Sequence, residues 1–205
     1  MRRWVVFDVG GVLVDEARLW RGWAAVLGLE EAAFLAALRA GIAAGKGIGG
    51  TVRELAPGLD IRAHRQALAA LEIPGEADLY PDVRPAFAAL RAAGFGIGIA
   101  GNQPHGVAEA LAALGLGAQF IATSAAWGVA KPDAAFFARI TAAAAAPADA
   151  IAYVGDRLDN DVAPALEAGM RAVLLPRGLW GGLAHEVPQG TLRVASLEEL
   201  PRALG

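Results

Sequence analysis

Residues 5–15 have the sequence VVFDVGGVLVD, an apolar run that ends in an aspartate followed closely by two glycines. The uninterrupted apolar residues 4–7 are typical of a short strand that is buried on both faces of a parallel sheet. Asp8 stands at the carboxyl end of this strand, where open α/β sheets bind their ligands. Gly10 and Gly11 allow a tight turn and a close approach of the backbone to a ligand. This stretch therefore predicts a parallel sheet with Asp8 at its ligand-binding edge.

The composition restricts the class of protein. Of the 205 residues, 56% are hydrophobic and 19% are charged, which excludes a mainly disordered chain. The net charge of −3 gives no basic surface for nucleic acid, and no apolar run is long enough to span a membrane. The absence of cysteine excludes thiolate nucleophiles and zinc–thiolate sites. We therefore expect a soluble cytoplasmic protein without nucleic-acid or membrane partners, and we leave the choice between monomer and homodimer open.

The segment from Asp15 to Tyr80 has a helical pattern and no strand signal. Apolar residues recur at helical spacing over residues 19–42, and Asp60 has the residue type of an amino-terminal helix cap. The glycine-rich residues 45–50 interrupt this pattern and predict a mobile loop. We interpret the whole segment as an all-helical insertion.

Strands and helices alternate after Tyr80. Such alternation predicts a Rossmann-like α/β fold, in which helices cover both faces of a parallel sheet. The domain prediction is a core of residues 1–14 and 81–205, with residues 15–80 as the inserted helical domain. The remaining strands are predicted at residues 95–100, 119–122, 151–154 and 171–175.

A second acidic segment, GDRLDND at residues 155–161, follows one of these strands. Asp156 stands at the carboxyl end of its strand, as Asp8 does, and Asp161 is expected to open the next helix. Two carboxylates at one edge of a sheet repel each other unless positive charge lies between them. A hard divalent cation with oxygen ligands, with magnesium as the first choice, would supply that charge.

Two further segments end at the same predicted edge. Gly101 and Asn102 follow the strand at residues 95–100, and the backbone amides there, with the Asn102 side chain, suit an anion near a helix amino terminus. Lys131 stands just before a predicted helix and is one of only two lysines in the chain. A lysine in this position offers a point charge suited to phosphate.

These segments resemble the four motifs of the haloacid dehalogenase-like hydrolases. Their order and spacing cover essentially the whole chain, and the helical insertion resembles the small cap domain of that superfamily. The resemblance implies a Rossmann-like core with a cap, inserted after the first strand, that closes over the site and selects the substrate. The four segments are residues 7–12 (FDVGGV), 99–102 (IAGN), 131–133 (KPD) and 154–161 (VGDRLDND).

The resemblance also implies a function, a magnesium-dependent phosphatase acting on a small phosphorylated metabolite. Asp8 would be the nucleophile that becomes an aspartyl phosphate. Lys131 would neutralise charge on Asp8 and on the phosphoryl oxygens. Magnesium would be held by Asp8, the backbone carbonyl of Gly10 and Asp156, with support from Asp161.

Two glycines depart from the family pattern. Most phosphatases of this family carry a second Asp, the general acid and base, where this chain has Gly10. A Ser or Thr hydroxyl binds phosphate where it has Gly101, so Gly101, Asn102 and Lys131 are the expected phosphate contacts. General acid–base catalysis is worth roughly 10²–10⁴-fold, and we therefore expect a handicapped enzyme. His105 is a candidate replacement for the proton donor, although an exposed histidine at a helix start is the simpler interpretation.

Other activities in this family fit the residues less well. A haloacid dehalogenase needs no metal, whereas this chain keeps Asp156, and a phosphomutase needs the acid and base that are missing at Gly10. A phosphonate hydrolase needs a cap lysine for a Schiff base, and Lys46 is the only candidate. The alternative to an enzyme is a pseudoenzyme that binds magnesium and a phosphorylated ligand or partner without turnover.

Overall fold

The computed structural model describes residues 2–181 and 186–205 and contains one six-stranded parallel sheet. The strands are β1 (Trp4–Phe7), β2 (Gly96–Gly101), β3 (Phe120–Thr123), β4 (Ile151–Gly155), β5 (Arg171–Leu174) and β6 (Leu192–Arg193). Their order in the sheet is β3-β2-β1-β4-β5-β6. The first strand therefore lies in the middle, with Phe7 paired to Ile99 on one side and to Val154 on the other.

Eleven α-helices lie in the described part of the chain. The first five lie between β1 and residue 73 of the sequence. The short strand β6 and the last helix were not predicted from the sequence. The helices are α1 (Ala17–Leu27), α2 (Glu31–Ala43), α3 (Gly47–Leu55), α4 (Ile61–Ala67), α5 (Ala69–Glu72), α6 (Val83–Ala92), α7 (Val107–Ala113), α8 (Ser124–Trp127), α9 (Ala134–Ala144), α10 (Ala163–Glu167) and α11 (Leu200–Leu204).

Both faces of the sheet are covered, as the apolar strands predict. Side chains alternate along a strand, so Val6 and Phe7 point to opposite faces. The Phe7 ring packs against Phe87 of α6 at a centroid distance of 4.7 Å. Val6 belongs to a buried cluster on the other face that includes Phe136 and Phe137 of α9. The predicted Rossmann-like α/β fold is thus confirmed, and no described helix is both long and apolar enough to cross a membrane.

The chain divides into two compact units, and the division differs slightly from the predicted one. Residues 1–15 and 74–205 form one unit, and residues 16–73 form the other, which we call the helical unit. Residues 74–80, predicted to lie in the insertion, group with the core because they pair with the segment after β1. The Asp15 amide donates to the Asp78 carbonyl at 2.8 Å, and the Tyr80 amide donates to the Leu13 carbonyl at 3.0 Å.

Within the helical unit, the prediction of a mobile loop at residues 45–50 is wrong, because α3 begins at Gly47. The Thr51 hydroxyl donates to the Gly47 carbonyl at 2.8 Å and is buried. A Cβ at Gly41 of α2 would lie 1.8 Å from the Thr51 hydroxyl oxygen, so only glycine permits this packing. Tertiary packing therefore overrides the low helix propensity of glycine here. The predicted cap is confirmed, since Asp60 accepts hydrogen bonds from two amides of α4.

Candidate active site

The predicted site residues of the core meet at one edge of the sheet. Asp8 follows the middle strand β1, Gly101 ends β2 and Asp156 follows β4. Since β2 and β4 are the two neighbours of β1 and all three run parallel, their carboxyl ends lie side by side. The order of strands reverses at β1, because the chain continues from β1 to β2 on one side and later crosses from β3 to β4 on the other. Such a point of reversal is where α/β sheets bind ligands.

A buried lysine joins two of the aspartates. The Lys131 ammonium lies 2.7 Å from one carboxylate oxygen of Asp8 and donates a 2.6 Å hydrogen bond to Asp161. The side chains of Lys131 and Asp161 are 1% and 0% exposed, and that of Asp8 is 10% exposed. We call Asp8, Lys131, Asp156 and Asp161 the lysine cluster. It brings together the two predicted catalytic residues and the predicted acidic metal ligands.

The backbone of Lys131 is held by Asn102. The Asn102 side chain donates to the Lys131 carbonyl at 2.9 Å and accepts from the Lys131 amide at 2.8 Å. This reciprocal pair fixes the lysine's segment to the end of β2. The predicted phosphate contact of Asn102 stays a prediction, and the structure adds a positioning role that the sequence did not indicate.

Gly101 lies directly beside the predicted nucleophile. A Cβ at this position would lie 2.4 Å from a carboxylate oxygen of Asp8 and 3.2 Å from Val9. The space that a larger side chain would use is therefore taken by Asp8 itself. Any side chain at position 101, including one with a hydroxyl, would therefore displace the Asp8 carboxylate from its present position.

Asp156 packs against the turn that follows Asp8. Gly11 has a φ of 68°, and a Cβ there would lie 2.2 Å from a carboxylate oxygen of Asp156. The turn closes on itself through a hydrogen bond from the Gly11 amide to the Val14 carbonyl and a bridge between Gly10 and Val14. Glycine at position 11 is required both for its backbone conformation and for this close approach to Asp156.

The prediction that Asp161 begins the next α-helix is wrong. Asp161 lies inside a short π-helical turn, Leu158–Val162, that precedes α10. Two successive amides, those of Asp161 and Val162, donate to the Arg157 carbonyl, which widens the turn. This turn places Asp161 against Gly155, where a Cβ would lie 2.3 Å away from it. One carboxylate oxygen accepts from the Arg157 amide at 3.0 Å and the other from Lys131.

Burial and charge set the protonation states in the lysine cluster. Burial alone would lower the pKa of Lys131, but the Asp161 and Asp8 carboxylates reverse this and hold the pKa well above its usual value. Burial raises the pKa of Asp8, and Lys131 offsets part of that rise. Lys131 is therefore a fixed ammonium rather than a base, and added positive charge near Asp8 would favour the ionised carboxylate.

Tyr153 of β4 packs close to the ammonium of this cluster. Its ring centroid lies 5.5 Å from the Lys131 ammonium, and its hydroxyl donates to the Ala100 carbonyl at 2.9 Å. Burial raises the pKa of Tyr153 well above its usual value, so the hydroxyl stays protonated. Tyr153 was not among the predicted site residues, although a tyrosine inside an otherwise apolar strand is a signal that could have identified it.

The donor set fits a hard divalent cation. Carboxylate oxygens of Asp8, Asp156 and Asp161 lie within 4.8 Å of one another, and all three residues are buried. Carboxylates and backbone carbonyls are the ligands that magnesium prefers. These residues could therefore hold the predicted magnesium. The predicted contribution of the Gly10 carbonyl stays a prediction.

The two remaining candidates, His105 and Lys46, are exposed to solvent. His105 is exposed in the loop before α7. Lys46 is 46% exposed and forms an ion pair with Glu54 at 2.8 Å. Lys46 therefore lacks the desolvated environment of a Schiff-base lysine, which agrees with the low preference for a phosphonate hydrolase.

The fold and the site define a Rossmann-like α/β protein with an acid-rich sheet edge. The family model of the haloacid dehalogenase-like hydrolases matches residues 3–169, most of the chain. The protein therefore belongs to this family of hydrolases, which confirms the resemblance seen in the motifs. No curated protein sequence matches the chain significantly.

Solved structures of this family share the fold over the whole chain. YfnB of Bacillus subtilis, solved bound to magnesium, is similar to this chain with a TM-score of 0.74 and 20% identity, covering 100% of this chain and 99% of its own. L-2-haloacid dehalogenase from Xanthobacter autotrophicus gives 0.70 and 20%, covering 100% and 98%. A HAD phosphatase from Thermococcus onnurineus gives 0.63 and 20%, also covering 100% and 98%. These structures include both a dehalogenase and a phosphatase. The shared fold therefore does not decide between the two reactions, and the choice between them depends on the residues of the site.

Proposed function

We propose that this protein is a magnesium-dependent phosphatase that hydrolyses a small phosphorylated metabolite through an aspartyl phosphate on Asp8. The proposal depends above all on the 2.7 Å contact between Asp8 and the Lys131 ammonium, with Asp156 close by. A carboxylate can attack an anionic phosphate only where positive charge offsets the repulsion. A haloacid dehalogenase needs no metal and therefore has no need for Asp156 beside the nucleophile, which favours the phosphatase.

In the first half of the reaction, a carboxylate oxygen of Asp8 attacks phosphorus and forms a bond to it while the ester oxygen leaves. Lys131 remains an ammonium and stabilises negative charge on Asp8 and on the phosphoryl oxygens. Asp161 keeps that ammonium in place through its 2.6 Å hydrogen bond. Because Gly10 has no side chain, the leaving oxygen takes its proton from solvent water.

In the second half, water attacks phosphorus and the bond between Asp8 and phosphorus breaks. This step releases inorganic phosphate, restores the Asp8 carboxylate and passes the water's proton to solvent. Magnesium, when held by Asp8, the Gly10 carbonyl and Asp156 with Asp161 in support, would supply further positive charge against the phosphoryl oxygens. We assign the helical unit the role of the cap that selects the substrate.

The test is a screen of phosphorylated metabolites for phosphate release, with magnesium and with a chelator. We expect metal-dependent turnover of at least one substrate and a loss of roughly 10⁴-fold or more in Asp8→Asn, which lacks the nucleophile. The matched control is Asp159→Asn, because Asp159 is 71% exposed and is paired with Arg157 outside the lysine cluster. The control should retain wild-type turnover.

Three outcomes would contradict the proposal. Magnesium binding without turnover of any phosphate ester, including activated aryl phosphates, would identify the pseudoenzyme instead. Halide release from 2-haloacids that continues in the presence of a chelator would identify a dehalogenase. Wild-type turnover in Asp8→Asn would show that another residue is the nucleophile.

A further inference from the structure

Arg177, in the loop after β5, contacts two separate segments of the core. One guanidinium nitrogen donates to both carboxylate oxygens of Asp82, at 2.9 and 2.8 Å, and another donates to the Val12 carbonyl. The guanidinium carbon lies 3.8 Å from the centroid of the Tyr80 ring. We call Arg177, Tyr80 and Asp82 the arginine cluster. None of the three belongs to a family motif identified in the sequence.

Asp82 also accepts hydrogen bonds from a further segment of the core. One of its oxygens accepts from the Ser196 hydroxyl and from the Leu197 amide, both at 3.0 Å. Burial raises the pKa of Asp82, but the hydrogen bonds from Leu197 and Arg177 outweigh it, so the pKa lies below its usual value. The carboxylate is therefore ionised at neutral pH and anchors the arginine rigidly.

The arginine is anchored at the turn that forms the predicted magnesium site. Val12 lies one residue after Gly11, which packs against Asp156. The residue after Arg177 reaches the same point, because a Cβ at Gly178 would lie 3.1 Å from the Gly11 Cα and 3.9 Å from an Asp156 oxygen. Arg177 and Gly178 thus both contact the turn close to the place where it meets Asp156.

We propose that Arg177 is a positioning residue that holds the turn of residues 10–13 in the conformation required for magnesium binding. This inference rests on the proposed function, since it assigns Arg177 to the same site. The planar guanidinium can bind a carboxylate and a carbonyl at once and stack on an aromatic ring, whereas a lysine offers only a point charge. Partners that orient a metal site typically change metal affinity by 10–100-fold when they are replaced.

The experiment compares Arg177→Lys with wild type by two readouts that need no turnover. The first is hydrogen exchange of the Gly11, Leu13 and Val14 amides in metal-free protein, since all three donate hydrogen bonds within the turn. The second is calorimetric titration with magnesium. We expect exchange of these amides to be at least about tenfold faster and the magnesium Kd to be about tenfold weaker, with amides of β1, β2 and β4 unchanged.

The matched control is Arg84→Lys, which alters an exposed ion pair with Glu76 in the same unit. It should change neither readout. A second variant, Asp82→Asn, keeps Arg177 but weakens its anchor, so it should show a smaller effect of the same kind. This variant decides the question if Arg177→Lys does not fold.

The outcomes separate this inference from the proposed function. Unchanged exchange and unchanged magnesium affinity in both variants would overturn the role of Arg177. Faster exchange across all strands would also overturn it, because that result describes a general loss of stability. A wild-type protein that binds no magnesium would overturn the proposed function, and the exchange measurement would still decide whether Arg177 holds the turn.

Discussion

The lysine cluster and the arginine cluster flank the same turn, but only the lysine cluster carries an excess of buried negative charge. The lysine cluster contains three carboxylates and one ammonium, whereas the arginine cluster pairs one guanidinium with one carboxylate. Excess buried charge reduces stability and is typical of sites that bind ions or perform chemistry. A balanced pair of charges is typical of a structural support. The difference indicates which cluster would react and which would hold the backbone in place.

Of the variants that test this contrast, Lys131→Met should cause the largest loss of stability. Without the ammonium, Asp8 and Asp161 face each other uncompensated, and we expect the metal-free protein to lose about 3–5 kcal/mol of unfolding free energy. Urea denaturation measures the loss, and added magnesium should restore part of it. The other lysine is the control, because Lys46→Met breaks an exposed ion pair worth at most about 1 kcal/mol. Equal losses in the two variants would contradict the assigned role of the lysine cluster.

Gly10→Asp sharpens the contrast by adding a fourth carboxylate to the acid-rich side. The new side chain could donate a proton to the leaving oxygen, so turnover of alkyl phosphates should rise by up to about 10²-fold, and that of aryl phosphates by less. Gly10→Asn is the matched control, since the asparagine side chain has the same size as aspartate but no carboxyl group that can donate a proton. In wild type, slow hydrolysis should leave phosphoenzyme detectable by intact-mass measurement.

Two results would argue against the missing-acid interpretation of Gly10. One is equal wild-type turnover of alkyl and aryl phosphates with no trapped phosphoenzyme. The other is equal activation by Asn and Asp. Either would indicate that another group supplies the proton, and His105→Ala would then be the next variant to measure.

Gly101→Ser tests the coupling between Gly101 and Asp8. The added Cβ would lie 2.4 Å from the Asp8 oxygen, so Asp8 must move away from its contact with Lys131. We expect a loss of about 1–3 kcal/mol in unfolding free energy and lower turnover. Gly101→Ala should show the same loss, because the Cβ alone causes it. A serine variant more active than wild type would show instead that the missing hydroxyl is the limiting factor.

The smallest effect is a pH dependence of opposite sign in the two clusters. The pKa of Asp8 is raised in the folded protein, so its ionisation opposes folding above that pKa, and the penalty disappears as the pH falls toward the unfolded value of 3.8. The pKa of Asp82 is lowered, so its contribution is present above 3.8 and is lost as the pH falls below that value.

Urea unfolding of the metal-free variants from pH 3 to 8 measures this difference. Asp8→Asn should raise stability at neutral pH and lose that advantage toward pH 3.8. Asp82→Asn should lower stability at neutral pH, with a smaller difference from wild type in acid. Profiles of both variants that run parallel to the wild-type profile would contradict the opposite shifts.

The lysine cluster could be predicted from the sequence because its signals are local. Asp8 and Asp156 each follow an apolar strand, and parallel strands place their carboxyl ends at one edge. The contact between Lys131 and Asp161 could not be predicted in this way. It depends on the wide turn at residues 158–162, which forms through two amides sharing one carbonyl.

The arginine cluster has no comparable local signal. Arg177 is one of sixteen arginines, and its partners Asp82 and Val12 are 95 and 165 residues away in the sequence. The helix α3 was missed for a related reason, since Gly41 and Thr51 stabilise it through packing between helices. In both cases the decisive contact joins residues whose types alone predict nothing.

The order of the strands has a consequence for biosynthesis. Of the six strands, the ribosome makes β1 before the others. Its neighbour β2 emerges only after the helical unit, and its other neighbour β4 only after β3 and α9. A nascent chain that ends after β3 contains Asp8 but not yet Lys131, Asp156 or Asp161. The buried carboxylates are therefore never assembled without their ammonium, and the acid-rich edge of the sheet is complete only after Asp161 has been made.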